Sequence, residues 1–125
     1  MENQTEPSIV YLLQEPTTAR DLSSAVKYGK VVQILSAKDK PYQDPEGCMR
    51  KLQTTLRNFN PYNDYLCYAG SDPLVQFLTG IIMERMEIGE VKQLLWNRER
   101  DEKGATTGRG YYLPKTITIW PQEEK

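Results

Sequence analysis

Apolar and polar residues alternate in blocks along this chain, and the blocks are short. Ile9 to Leu13, IVYLL, forms an uninterrupted apolar run that reads as a buried strand, stopped by Glu15-Pro16. Lys30 to Leu35, KVVQIL, reads as a second strand, apolar enough to be covered on both faces. Between them, TTARDLSSAVKYG admits two readings. Thr18 can cap a short helix that turns Leu22, Ala25 and Val26 inward and ends at Gly29, or the segment is a loop holding one helical turn. We read it as the loop.

After a polar connection, Asp44-Pro45 opens a helix expected to run to about Phe59, because Met49, Leu52, Leu56 and Phe59 recur at helical spacing. Pro61 stops it. DYLCYAG, from Asp64, is the third strand. Asp72-Pro73 opens the strongest helical pattern, with Leu74, Phe77, Leu78, Ile81, Ile82 and Met86 on its apolar stripe and Gly89 as its expected stop. Val91 to Trp96 is a fourth strand. A charged loop from Asn97 to Gly110 leads to a fifth, Tyr111 to Trp120, which Pro114 confines to a sheet edge or a bulge.

Strand, helix, strand, helix, strand in the middle of the chain is a βαβαβ pattern. Right-handed crossovers make its three strands parallel, and the last hairpin adds an antiparallel strand. The expected fold is therefore α/β: a mixed, mostly parallel sheet of about five strands, two main helices and a C-terminal β-hairpin. Residues 1–8 are expected as a disordered leader, 9–120 as one domain and 121–125 as a disordered tail.

Composition narrows the chemistry. At 125 residues the chain can bury about 65–70% of its extended surface, enough for a core without staples. Net charge is −1, which argues against a protein built to neutralise nucleic-acid phosphates. There is no histidine, so Ser-His and Cys-His arrangements and the commonest metal ligand are excluded. Cys48 and Cys67 form no C-x-x-C and read as buried free thiols, suited to a reducing cytosol. No signal peptide and no membrane span is expected, so the chain reads as soluble and intracellular.

Two places remain for a site. In open α/β sheets, ligands bind beyond the carboxyl ends of the parallel strands. Lys38, Asp39 and Asp44 after the second strand and Gly70, Ser71 and Asp72 after the third would meet there and could hold a phosphate. Asp44-Pro45 and Asp72-Pro73 are the same device used twice, however. Aspartate caps the helix, proline suits its first position, and the capping carboxylate occupies the anion site. No dinucleotide or P-loop signature is present. Capping is the preferred reading, and no cofactor or metal is expected.

The second place is the hairpin. Arg98, Arg100, Lys103 and Arg109 stand close to Tyr111, Tyr112 and Trp120, although Glu99, Asp101 and Glu102 nearly cancel their charge. Glycines at 104, 108 and 110 suggest a loop that orders on a partner. Aromatic residues beside a sheet edge suit a protein interface or a homodimer.

Three pieces of the sequence resemble a known type. DLSSAVKYGKVVQIL, from Asp21 to Leu35, is similar to a D-L-S-x-A-x-x-aromatic-G-x-V-V pattern. DYLCYAGSDPL is similar to a D-Y-L-x-x-x-G pattern followed by proline, and LLWN to L-L-W-D, with Asn97 in place of the acid. Together they resemble a small, uncharacterised α/β protein type encoded by tailed bacteriophages and some bacterial genomes. The resemblance implies a viral accessory protein in the host bacterial cytoplasm and transfers no catalytic residue.

The leading expectation is a non-enzymatic phage protein that binds a host or phage protein through the hairpin and sheet edge. The alternative is a nucleotide- or phosphate-binding protein using loops 36–44 and 70–73. Single-stranded nucleic-acid binding is a weaker third.

Overall fold

The computed structural model describes residues 7–16, 22–68 and 72–118. The elements are β1 (Ile9–Gln14), α1 (Ser23–Val26), β2 (Lys30–Leu35), α2 (Pro45–Leu56), β3 (Tyr65–Cys67), α3 (Pro73–Arg85), β4 (Glu90–Arg100) and β5 (Thr106–Thr118). They form a five-stranded sheet in the order β2-β1-β3-β4-β5. The first four strands are parallel and β5 is antiparallel to β4. The expected leader and tail fall mostly outside the described residues. Ser8 is held, its hydroxyl donating to Asn63 Oδ1 at 3.0 Å.

The chain steps from β1 to β2 in one direction and then back across β1 to β3, β4 and β5. With right-handed crossovers, that reversal puts α1 on one face of the sheet and α2 and α3 on the other. The core is correspondingly double. Tyr11, Leu13, Leu35 and Leu66 pack with Leu52, Leu56, Leu78 and Ile82 on the α2–α3 side. Val10, Leu12, Cys67, Leu94 and Tyr112 pack with Ala25 of α1 on the other. β1 lies inside the sheet, so its central four residues are all buried.

Four expectations need correction. β2, as apolar as β1, is an edge strand and only partly buried. An apolar run tells which faces are covered, not how many neighbours a strand has. α2 ends at Leu56, and Phe59 reaches the core through the turn that follows, its ring 5.8 Å from that of Tyr11. α3 does not wait for Gly89. Glu87 takes a left-handed φ of 59°, Glu87 N–H donates to Glu84 O, and Ile88 N–H reaches back to Met83 O. This double closure of the last turn satisfies the final carbonyls and buries Ile88, which outweighs the cost of a non-glycine there. Finally, Phe77, placed on the inward stripe from sequence, is exposed, as is Val26 at the end of α1, while Val75 and Thr79 are buried. Thr79 manages this because its hydroxyl donates to Val75 O at 2.8 Å.

One buried acid joins the layers. Asp64, only 4% exposed, accepts from Ile9 N–H at 3.0 Å and from Asn60 N–H at 2.9 Å. It ties the start of β1 to the loop before β3.

Candidate functional site

The carboxyl ends of β1 and β2 do meet the start of α3, in the crevice expected where the strand order reverses. A cleft of about 310 Å³ lies there, lined in part by Gln14, Glu15, Asp39, Lys40, Tyr42 and Asp72. Its acids are already engaged. Asp39 accepts from Ser36 N–H at 2.8 Å and pairs with Lys51 Nζ at 2.5 Å. The lysine, aided by the Ser36 amide, holds the Asp39 carboxyl below the usual carboxylate range. Glu15 accepts from Ala37 N–H at 2.9 Å.

Asp44 caps α2 through Gly47 N–H at 3.0 Å, and Asp72 caps α3 through Leu74 N–H at 2.8 Å. The Asp72 amide itself donates to Gln14 Oε1. The twin Asp-Pro device thus works as read from sequence, and both helix N-termini face their own carboxylates. Lys38 is exposed, and its amide donates to Ser36 Oγ. Gly70 and Ser71 lie outside the described residues. No group of His, Cys, Asp or Glu among the described residues has the arrangement of a metal site. Cys48 and Cys67 are free and buried, and burial, reinforced by the charges of Asp39 and Asp44, pushes the Cys48 thiol up, away from a nucleophilic thiolate.

Beside β3, Tyr68 receives a hydrogen bond on its hydroxyl from Gln93 Nε2 at 3.3 Å. Burial outweighs that bond and pushes the hydroxyl from 10.0 to about 12. A tyrosine whose folded value is raised adds stability that is complete below about pH 10, where the unfolded chain titrates, and lost as pH rises through about 12. One tyrosinate should therefore form late in an alkaline absorbance titration. Tyr68→Phe should flatten the loss of stability across that window, and an unchanged titration curve would contradict the assignment.

The hairpin differs most from its expected form. Instead of a loop from 97 to 110, β4 and β5 pair as far as Arg98 with Gly110 and Arg100 with Thr106, with an irregularity between. Only 101–105 turn. Asp101 makes the turn by accepting from Lys103 N–H and Ala105 N–H at 2.9 and 3.0 Å, and Gly104 supplies a φ of 85°. Arg100 closes it with a bond to Gly104 O. Gly110 answers to a close approach: a Cβ there would stand 2.5 Å from the Trp96 ring. The charges that looked like a loop are those of an edge ribbon.

The ribbon has two unlike faces. Leu94, Trp96 and Tyr112 turn toward α1, and Tyr112 is buried with its ring edge-on to Trp96 at 4.9 Å. Tyr112, grouped with the exposed partner residues from sequence, is thus a core residue. On the other face, Val91 is the last buried residue. Beyond it Leu95, Tyr111, Leu113 and Ile117 are 40%, 42%, 43% and 38% exposed. Leu95 stands opposite Leu113, and Asn97 Nδ2 donates to the Tyr111 hydroxyl opposite it at 2.7 Å. Arg98, Arg100 and Lys103 are exposed toward the tip. Arg109 belongs to β5, of which only its backbone is described, and Trp120 lies outside the described residues.

Leu95, Leu113 and Ile117 were missed from sequence. The signal was the period of two through 111, 113, 115 and 117, which marks one strand face. The edge itself is closed at its centre. Ser24 Oγ accepts from the outward Tyr112 N–H at 2.8 Å, and Pro114, two residues on, has no N–H. Strand pairing through the middle of β5, expected for a homodimer, is obstructed at both positions.

A family model described as Phage Pam3 gp32-like protein matches residues 8–103, from the start of β1 to the turn after β4. No curated protein and no solved structure matches. Among the described residues, no helix is long and apolar enough to cross a membrane.

Proposed function

Because this chain belongs to the phage Pam3 gp32-like family, we propose that it serves its phage by docking on another protein through the helix-free face of the β4–β5 ribbon. One observation carries the reading: four large apolar side chains, Leu95, Tyr111, Leu113 and Ile117, are exposed on one face of the paired β4–β5 ribbon. An apolar centre interrupted by exposed Lys115, with the exposed charges of Arg98, Arg100 and Lys103 farther along the ribbon toward its tip, has the make-up of a protein interface. Because the hairpin is already ordered, docking forfeits little conformational entropy. The bacterial cytoplasm is the compartment in which we place this action.

The triple variant Leu95→Ser, Tyr111→Ser, Leu113→Ser removes the apolar centre and leaves the core untouched. Affinity capture from phage-infected host lysate, read by mass spectrometry, should lose its specific partner with this variant while the thermal melt stays cooperative. Capture of the same partner by a folded triple variant would refute the reading.

A further inference from the structure

We propose that the open edge of β2, with α2 beside it, takes up an extended acidic segment of another protein as a sixth strand. The two edges of the sheet are treated differently. That of β5 is blocked by Ser24 and Pro114, as described above. No described strand lies beyond β2. Its sequence from Val31 to Leu35 carries no proline and no charge, the usual guards of an edge. Lys30 N–H turns inward to Ser8 O, so the alternation of a strand sends the amides of Val31 and Gln33 outward.

A groove of about 270 Å³ runs between this edge and α2, lined by Ile34, Arg50, Lys51, Thr54 and Thr55. Both charged residues in it are cations. Lys51 is partly neutralised by Asp39, and Arg50 is exposed. A strand laid about 4.8 Å from β2 would project every second side chain under α2, where the threonines leave room and Arg50 favours a carboxylate. Main-chain bonds to Val31 and Gln33 would supply affinity, and the cations would select acidic side chains. This site is separate from the ribbon, so loss of ribbon docking leaves it unaffected.

The test uses a fluorescent ten-residue peptide of alternating glutamate and valine, the same peptide N-methylated at alternate amides, and a ten-nucleotide oligothymidine. Anisotropy should show saturable binding of the first peptide, weakened by roughly tenfold or more by N-methylation, by Arg50→Glu and by Gln33→Pro. Gln33→Pro removes an outward amide and also fixes φ at 33 and restricts Val32. Should that variant fail to fold, amide spectra of the unmodified protein decide, with shifts expected along 30–35 and 50–55. Equal binding of the N-methylated peptide would overturn the proposal. So would shifts confined to other elements, absence of saturable peptide binding, or binding of oligothymidine alone, which would make the groove a nucleic-acid contact.

Discussion

Replacing Tyr112 by alanine is expected to lower the free energy of unfolding by about 3–5 kcal/mol, the range for truncating a fully buried aromatic side chain. The ring is 1% exposed and lies among Val10, Leu12, Ala25, Cys67 and Leu94, edge-on to Trp96. Its removal leaves a cavity between the sheet and α1, and α1 is too short to collapse into it: four residues, held at one end by the Ser24 bond to this same residue's amide. Alanine at the neighbouring Tyr111 should cost no more than about 0.5–1 kcal/mol, since that ring is 42% exposed. Urea denaturation followed by tryptophan fluorescence compares the two. Equal losses would mean that β5 is paired one residue out of register, because a slip of one exchanges the faces. The comparison also separates stability from docking, since only Tyr111 of the pair belongs to the proposed interface.

The second large effect is expected at Asp64. Alanine there removes the acceptor of two backbone amides, Ile9 N–H and Asn60 N–H, that belong to segments 55 and 4 positions away. An unsatisfied buried amide costs about 1–3 kcal/mol, so Asp64→Ala, which strands two, should lose about 2–6 kcal/mol. Asparagine keeps one carbonyl acceptor and should lose roughly half as much. Equilibrium denaturation gives the size. Native-state hydrogen exchange gives the place, with the Ile9 and Asn60 amides exchanging faster in Asp64→Ala. Unaltered protection of both would show that water or another group serves them.

Residues that act on their near neighbours were legible in the sequence. Asp44 and Asp72 cap helices through amides three and two positions on, and they do so in the structure as the Asp-Pro pairs indicate. The apolar runs of β1 and β2, the helical spacing of Leu52 and Leu56, and the edge position implied by Pro114 are also local facts, and each holds. Both thiols are buried as expected, Cys67 in the apolar run of β3 and Cys48 near the start of α2.

Less legible was anything that depends on which element lies beside which. The charged segment 97–110 has the composition of a loop, yet opposing strands turn it into a ribbon, because cross-strand pairing is invisible in a single run of residues. The site read from sequence mixed Tyr111 with Tyr112 and omitted Leu113, although alternation alone separates them once the strand is known to extend that far.

From sequence alone came the α/β class, the parallel strands, the two capped helices and the bacteriophage resemblance, since periodicity, capping and short motifs are properties of neighbouring residues. Tertiary structure alone decided that β2 stands at one edge and that Ser24 closes the other by accepting from an amide 88 positions away. It alone decided that Asp64 serves β1 and that four apolar side chains of the ribbon are left in water. Strand order and burial are set by contacts between distant segments, whose free energies exist only after the chain has closed the loops between them.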